Sequence, residues 1–199
     1  MRAHPAIFAA CLLVLTPGLA LGAGVATGAY DNTLMIGYDP ASGIVSGYFD
    51  MTQDGPPVVS CLFALQGKLA GAGAVVDTYP PDSRASDLIK GQLVMRSKTT
   101  LRLTLPSDHG GCGNVWGFSD KDNPSDFTLQ TARPWTSVRV VKADKAYFYA
   151  SAGATTHGRA YLVPWDGVGV LAGKPGWVQA EFVGGKRPIS GWLRAADLY

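Results

Sequence analysis

The stretch IVSGYFDM, Ile44–Met51, decides the fold because its apolar side chains fall on alternate positions. Phe49 and Met51 share one face of an extended strand, whereas the residue between them is polar. The stretches VVSCLFALQG at 58–67 and TTLRLTLP at 99–106 alternate in the same way. Each pattern predicts a β-strand with one buried side.

Turn-forming residues punctuate the whole chain. Its 199 residues include 25 glycines and 13 prolines, and helical periodicity is nearly absent. Short alternating segments between such residues are typical of an all-β protein. We therefore predict that residues 23–134 form a small antiparallel barrel or sandwich with one disulfide.

Charge divides the chain into two parts. Residues 23–134 carry eight Lys/Arg against eleven Asp/Glu, whereas residues 135–199 carry eight against four. This shift predicts a second domain at 135–199, with the join near TARPWTS at 131–137. Neither part is basic enough to predict binding to nucleic acid, but the second part suits an anionic envelope polymer or an acidic protein.

The first residues have the order of a secretory signal peptide. Arg2 precedes the apolar run AIFAACLLVL at 6–15, and small residues follow up to Gly22. This order predicts a signal peptide at 1–22. The run is shorter than the roughly 20 residues that cross a bilayer, and it continues past Cys11, which disfavours a lipid-attachment site. We expect a periplasmic or secreted protein without a membrane span.

Removal of a signal peptide leaves two cysteines, Cys61 and Cys112. An even pair in an exported chain predicts a disulfide. The alternative is a nucleophile, because LPSDHGGCGNVWGFSD at 105–120 places His109 three residues before Cys112. A reactive cysteine needs a helix N-terminus or a held histidine to lower its pKa. No segment reads as a helix that presents either cysteine, so the disulfide is favoured.

Other catalytic and metal-binding patterns are weak. The chain has no GxSxG sequence, no phosphate-binding glycine loop before a helix, and no zinc-ligand spacing. The loop SDKDNPSD carries four oxygen-rich side chains that suit calcium or a simple solvated turn, and the turn is favoured. These four are Asp120, Asp122, Asn123 and Asp126. We predict no catalytic residue, no metal and no cofactor.

The C-terminal part contains four pieces in a defined order. They are KAYFYA at 145–150, AYLVPWDGVGVL at 160–171, GWVQAEF at 176–182 and GWLRAADL at 191–198. This segment of about 60 residues resembles the bacterial SH3-like (SH3b) domain. The resemblance implies a small five-stranded barrel, of a kind that accompanies cell-wall enzymes or binding modules in exported bacterial proteins.

Aromatic side chains are the candidate binding residues. Where members of the resembled family bind a ligand, they use an aromatic groove, and position implies Tyr149, Trp165 and Trp177 for that role. The alternative is that Trp177 packs in the core. In NVWGF, Trp116 and Phe118 either form an exposed apolar tip for a protein partner or pack beneath their loop.

Three functions are compatible with these features. We expect a non-catalytic binding or accessory protein that docks on peptidoglycan or on a cell-wall-remodelling protein. The second hypothesis is a periplasmic inhibitor or immunity protein against a secreted cell-wall hydrolase, by analogy with small disulfide-locked β-barrels that inhibit lysozyme. The third is a cell-wall hydrolase that uses Cys112.

Overall fold

The computed structural model describes residues 24–80 and 87–199. The predicted signal peptide at 1–22 lies outside these residues. Nearly all regular structure is β, which confirms the all-β prediction. The barrel strands are β1 (Gly28–Tyr30), β2 (Leu34–Asp39), β3 (Ile44–Gln53), β4 (Val59–Ala70), β5 (Gly73–Tyr79), β6 (Ile89–Met95), β7 (Thr100–Thr104) and β8 (Ser125–Ala132).

These eight strands form a closed antiparallel barrel. Each pairs with its neighbours in sequence, and β8 pairs with β1 to close the ring. Closure leaves no unpaired sheet edge. The predicted "barrel or sandwich" is therefore a barrel, in which the alternating apolar residues of β3, β4 and β7 point inward as expected.

Aromatic rings fill much of the barrel interior. Phe49 lies 5.4 Å from Phe63 and 5.9 Å from Phe127 between ring centroids. All three side chains are fully buried. Edge-to-face and offset contacts of this kind add to the stabilisation from burial itself.

The loop after β7 closes over this core and forms the predicted disulfide. Cys112 is bonded to Cys61 of β4, and it begins the single helical turn α1 (Cys112–Val115). Gly111 precedes it with φ +82°, and a Cβ there would lie 2.3 Å from the carbonyl oxygen of Ser60. Only glycine combines this conformation with so close an approach.

The C-terminal part is built from short strands around a second core. They are β9 (Ser137–Val140), β10 (Ala146–Tyr147), β11 (Tyr161–Leu162), β12 (Gly167–Lys174), β13 (Trp177–Phe182) and β14 (Ile189–Arg194), followed by a 3-10 helix at Ala195–Asp197. One sheet has the order β14-β13-β12-β9, and β10 pairs with β11. Within the described residues, no helix is long and apolar enough to cross a bilayer.

A third apolar cluster joins the two parts of the chain. It includes Tyr48 and Ala64 of the barrel together with Trp135 and the inward side of β9. The backbone N–H of Val138 donates to the Ser46 hydroxyl at 2.8 Å. Strand β9 thus lies against the barrel wall while also pairing with β12.

Two glycines allow this close packing. A Cβ at Gly37 would lie 2.4 Å from the backbone carbon of Ser137 in β9, and a Cβ at Gly169 would lie 2.1 Å from the Trp135 ring. Neither distance is compatible with a side chain unless the backbone moves. The missing side chain of Gly37 therefore sets how near the barrel and β9 approach each other, and that of Gly169 leaves room for Trp135 in the third apolar cluster.

Candidate functional site

The cysteine site holds no free thiol. The Sγ atoms of Cys61 and Cys112 are joined, and both side chains are fully buried. The expectation that no helix presents either cysteine was wrong, because Cys112 is the first residue of α1. A bonded sulfur cannot be a thiolate nucleophile, so the disulfide prediction is confirmed and the hydrolase that uses Cys112 has no support in this structure.

His109 has a structural position. Its ring is 6% exposed, and its Nε2 lies 2.8 Å from Thr78 Oγ1. The ring also packs 5.1 Å from the Phe63 ring. Burial lowers the pKa of His109, against the opposing effect of Asp108. The imidazole therefore contacts Thr78 and the Phe63 ring of the barrel core. The backbone carbonyl of His109 accepts a hydrogen bond from Cys112 N–H at 3.0 Å.

Trp116 and Phe118 do not form an exposed tip. Phe118 is 1% exposed and lies 4.9 Å from Phe49 between ring centroids. Trp116 is half-buried and stacks on Phe127 at 5.1 Å. Asp108 fixes this loop, since its Oδ1 accepts from Phe118 N–H at 2.6 Å. The alternative of packing beneath the loop is therefore the correct one, because the barrel needs aromatic rings to fill its open end.

The acidic loop is engaged in protein contacts. Arg102 donates to both carboxylate oxygens of Asp126, at 2.6 and 2.7 Å, and holds the pKa of Asp126 below its usual value. Asp120 Oδ1 accepts from the backbone N–H groups of Asp122 and Asn123 at 2.9 and 3.2 Å. These are the contacts of an ordinary Asx turn, as the solvated-turn prediction requires.

Two of the predicted aromatic residues lie together in the C-terminal part. Tyr149 and Trp177 are 4.9 Å apart in an edge-to-face contact. The series continues through His157, 5.9 Å from Tyr149, and Tyr147, 3.9 Å from His157. Tyr161 follows at 5.5 Å from Tyr147. We call these five side chains the aromatic row.

The aromatic row is accessible and is flanked by cations. Tyr161 is 45% exposed, and His157 is also exposed, whereas Tyr149 is buried beneath its neighbours. Lys145 lies 4.8 Å above the Tyr161 ring, and Arg194 lies 5.4 Å from the Tyr149 ring. Lys174 lies 5.2 Å from the ring of Trp192, whose backbone bridges to Tyr149. Such cation–π pairs keep positive charge beside flat apolar surface.

Trp165 belongs to a different place. It stacks on Tyr199 at 5.7 Å and packs against the apolar cluster between the two parts. Its φ of +80° is rare for a bulky residue. The three residues Tyr149, Trp165 and Trp177 therefore do not line one groove. Tyr149 and Trp177 belong to the aromatic row, whereas Trp165 packs against the apolar cluster that joins the barrel and the C-terminal part.

A cavity of about 490 Å³ lies between the barrel and the C-terminal part. Its barrel side includes Thr33, Tyr48 and Asp50, and the opposite side includes Asp166. Arg133, from the segment that joins the two parts, also lines it. We call it the interdomain cavity. Its polar and charged side chains make it a second candidate site, besides the aromatic row.

Comparison with known proteins gives no relative from which a function can be transferred. No family model, curated protein or solved structure matches the chain.

Sequence reasoning missed the interdomain cavity. Neither Tyr48 nor Asp50 was among the predicted binding residues. Both occupy outward positions of β3, which the alternation assigns to solvent. The one available signal was a tyrosine in an outward position of a strand, since that residue type often covers a second surface.

Proposed function

We propose that this chain is an exported, non-catalytic binding protein of the bacterial cell envelope that docks on peptidoglycan. The observation that carries the proposal is the aromatic row with Lys145, Lys174 and Arg194 beside it. The proposal places this surface on an SH3-like domain, to which the C-terminal sequence motifs point.

The chemistry of the row fits a polymer of sugars and acidic peptides. The apolar faces of sugar rings pack on aromatic side chains, while carboxylates on the peptides pair with Lys and Arg. The charge of residues 135–199 supports the same partner, because their eight Lys/Arg exceed four Asp/Glu. Electrostatic attraction of this kind acts over the whole surface and weakens in salt.

The disulfide agrees with the proposed location. Its loop spans 51 residues of the barrel, and such bonds persist in oxidising compartments such as the periplasm. A closed barrel locked in this way gives the C-terminal part a rigid support. In this proposal the barrel holds the aromatic row at a fixed orientation instead of performing chemistry.

Sedimentation with purified sacculi tests the proposal. We expect the mature protein to co-sediment, and the double variant Lys145→Glu/Lys174→Glu to bind at least ten-fold more weakly. The matched control is Lys98→Glu/Lys121→Glu, which makes the same charge change at exposed positions of the barrel. Trp177→Ala should also weaken binding while the control stays at the wild-type level.

Two results would contradict the proposal. One is a wild-type protein that stays in the supernatant, and the other is an equal loss of binding in both lysine pairs. If the protein leaves sacculi unbound but forms a one-to-one complex with a secreted cell-wall hydrolase and stops its activity, the inhibitor hypothesis replaces docking on peptidoglycan. The closed, disulfide-locked barrel is the feature that favours this second function.

A further inference from the structure

The interdomain cavity contains polar atoms that have no partner in the protein. Among the described residues, the buried side-chain atoms without a hydrogen bond are Thr33 Oγ1, Tyr48 OH and Arg133 Nε. All three residues line this one cavity. A buried polar group without a partner is unfavourable, so three in one place call for an explanation.

Tyr48 gives the clearest evidence of a buried hydroxyl without a partner. It is 2% exposed and packs beside Gly167 of β12, where a Cβ would lie 2.5 Å from the Tyr48 ring. Its ring is therefore fixed between the barrel and the C-terminal part. The nearby carboxylates of Asp50 and Asp166 raise the pKa of Tyr48 further than burial alone does. The hydroxyl thus stays neutral and can both donate and accept.

Two carboxyl groups share the cavity with this hydroxyl. Burial raises the pKa of Asp50, and the negative charge of Asp166 raises it further. Burial also raises the pKa of Asp166, although its Oδ2 accepts a hydrogen bond from Val163 N–H at 2.8 Å. Two like charges near each other in a partly buried site are unfavourable. A bound cation would relieve this repulsion.

Arg133 adds a positively charged group to the same cavity. Its Nη1 lies 3.3 Å from Glu181 Oε1, which leaves the Nε–H directed to no acceptor. An acceptor group on a ligand would satisfy it with a charge-assisted hydrogen bond. The lining also includes apolar residues, among them Met35, Phe182 and Pro188.

We propose that the interdomain cavity binds a small zwitterion, a free α-amino acid with an apolar side chain. Its ammonium group lies between Asp50 and Asp166 and within reach of Tyr48 OH and Thr33 Oγ1. Its carboxylate accepts from Arg133 Nε–H, and its side chain packs on the apolar lining. A volume of about 490 Å³ is ample for such a molecule.

The ligand set favours an ammonium over a divalent cation. Within the described residues, no group of three His, Cys, Asp or Glu side chains is placed to hold a metal ion. Calcium takes six to eight oxygens, mostly from carboxylates and carbonyls. Two carboxylates and neutral hydroxyls instead match the hydrogen-bond donors of one ammonium group.

The proposal is independent of peptidoglycan docking, because the aromatic row and the interdomain cavity have no lining residue in common. We would titrate the intact mature protein with leucine and phenylalanine of both hands, and follow binding by NMR chemical shifts and calorimetry. Cadaverine, N-acetyl-leucine and calcium chloride are the comparison probes. They lack the carboxylate, the free amine and the organic group, respectively.

Conservative variants separate binding from folding. Tyr48→Phe removes only the unpartnered hydroxyl, so it should fold at least as stably as the wild type while it weakens amino-acid binding about ten-fold or more. Asp50→Asn should weaken it similarly, and Arg133→Lys should reduce the preference for leucine over cadaverine. Asp54→Asn is the control, since it makes the same change just after β3, outside the cavity.

The expected result is saturable binding of at least one amino acid, weakened about ten-fold or more in Tyr48→Phe and Asp50→Asn and retained in Asp54→Asn. The proposal is overturned if no amino acid shifts the spectrum at about 10 mM. Binding that is equal in all variants would also overturn it. Calcium binding that depends on Asp50, with no response to amino acids, would overturn it in favour of a cation site.

Discussion

The substitution Trp135→Phe tests how the barrel is anchored to the C-terminal part. Trp135 is 1% exposed, and its ring covers Gly169. Its indole Nε1–H donates to Glu181 Oε2 at 3.0 Å, and Glu181 is itself 8% exposed. Phenylalanine keeps an aromatic ring in this space but removes the donor. The buried carboxylate then keeps Arg133, at 3.3 Å, as its remaining ion-pair partner.

The expected loss is about 3 kcal/mol in the free energy of unfolding. A hydrogen bond to a charged buried acceptor contributes about 1.5–3 kcal/mol. The smaller ring adds roughly 1 kcal/mol through lost contacts and a partly filled space. For a chain of this size, 3 kcal/mol corresponds to a melting temperature lower by roughly 6–12 °C.

Urea unfolding followed by far-UV circular dichroism measures this loss. The matched control is Trp177→Phe, the same chemical change in the accessible aromatic row, which should stay within about 1 kcal/mol of the wild type. A double-mutant cycle of Trp135→Phe with Glu181→Gln should give a coupling energy of about 1 kcal/mol or more, because the two side chains share the hydrogen bond.

The prediction is contradicted if the free energy of unfolding of Trp135→Phe lies within about 0.5 kcal/mol of the wild type and the cycle shows no coupling. That outcome would mean that the Trp135–Glu181 hydrogen bond does not contribute to stability. A loss of the expected size, together with a separate low-urea transition of one part, would strengthen the interpretation that Trp135 anchors the interface.

Three further predictions concern other parts of the molecule. Replacing Cys61 and Cys112 together by Ala should cost about 4 kcal/mol in chain-entropy terms, since the loop spans 51 residues; unfolding within 1 kcal/mol of the wild type would contradict this. Asp50→Asn should raise stability at pH 7 by on the order of 0.5 kcal/mol, a small value because Asp50 keeps solvent contact. Burial and the charge of Asp166 raise the pKa of Asp50 in the folded state, so the wild type loses stability as the pH rises through that pKa. The stability advantage of Asp50→Asn should therefore vanish near pH 3. An advantage that persists at pH 3 would argue against a charge effect. Gly37→Ala should destabilise by about 1–3 kcal/mol in thermal unfolding, because its Cβ would lie 2.4 Å from the backbone of β9; an unchanged melting temperature would show that β9 can shift freely.

Local pattern was sufficient for the all-β class and the disulfide, although it left both a barrel and a sandwich open. The period-two alternation of IVSGYFDM and VVSCLFALQG assigned the inward side chains of β3 and β4, since side chains of a strand point alternately to its two faces. The even cysteine count paired Cys61 with Cys112. The same pattern did not show that Phe118 is buried, because a loop has no period that assigns its side chains to a face.

The candidate binding residues show where pattern stops being informative. Tyr149 and Trp177 come together because β13 and β14 are paired and the Tyr149 backbone bridges to β14. Trp165 lies near them in sequence, yet it stacks on Tyr199 in the interdomain region. Distance along the chain says little about distance in space once a chain folds back in short antiparallel strands.

The sequence by itself determined the β class, the inward faces of the barrel strands and the disulfide pairing, because these depend on neighbours in the chain and on counting. Only the tertiary structure decided that Tyr48 and Asp50 face Asp166 and Arg133 across a cavity. Alternation assigns the side of β3 that carries Tyr48 to solvent, and the docking of a second set of strands, which Gly37 allows to approach closely, covers Tyr48 instead. Burial created by long-range packing leaves no local period in a sequence, and that burial gives these polar groups their unusual chemistry.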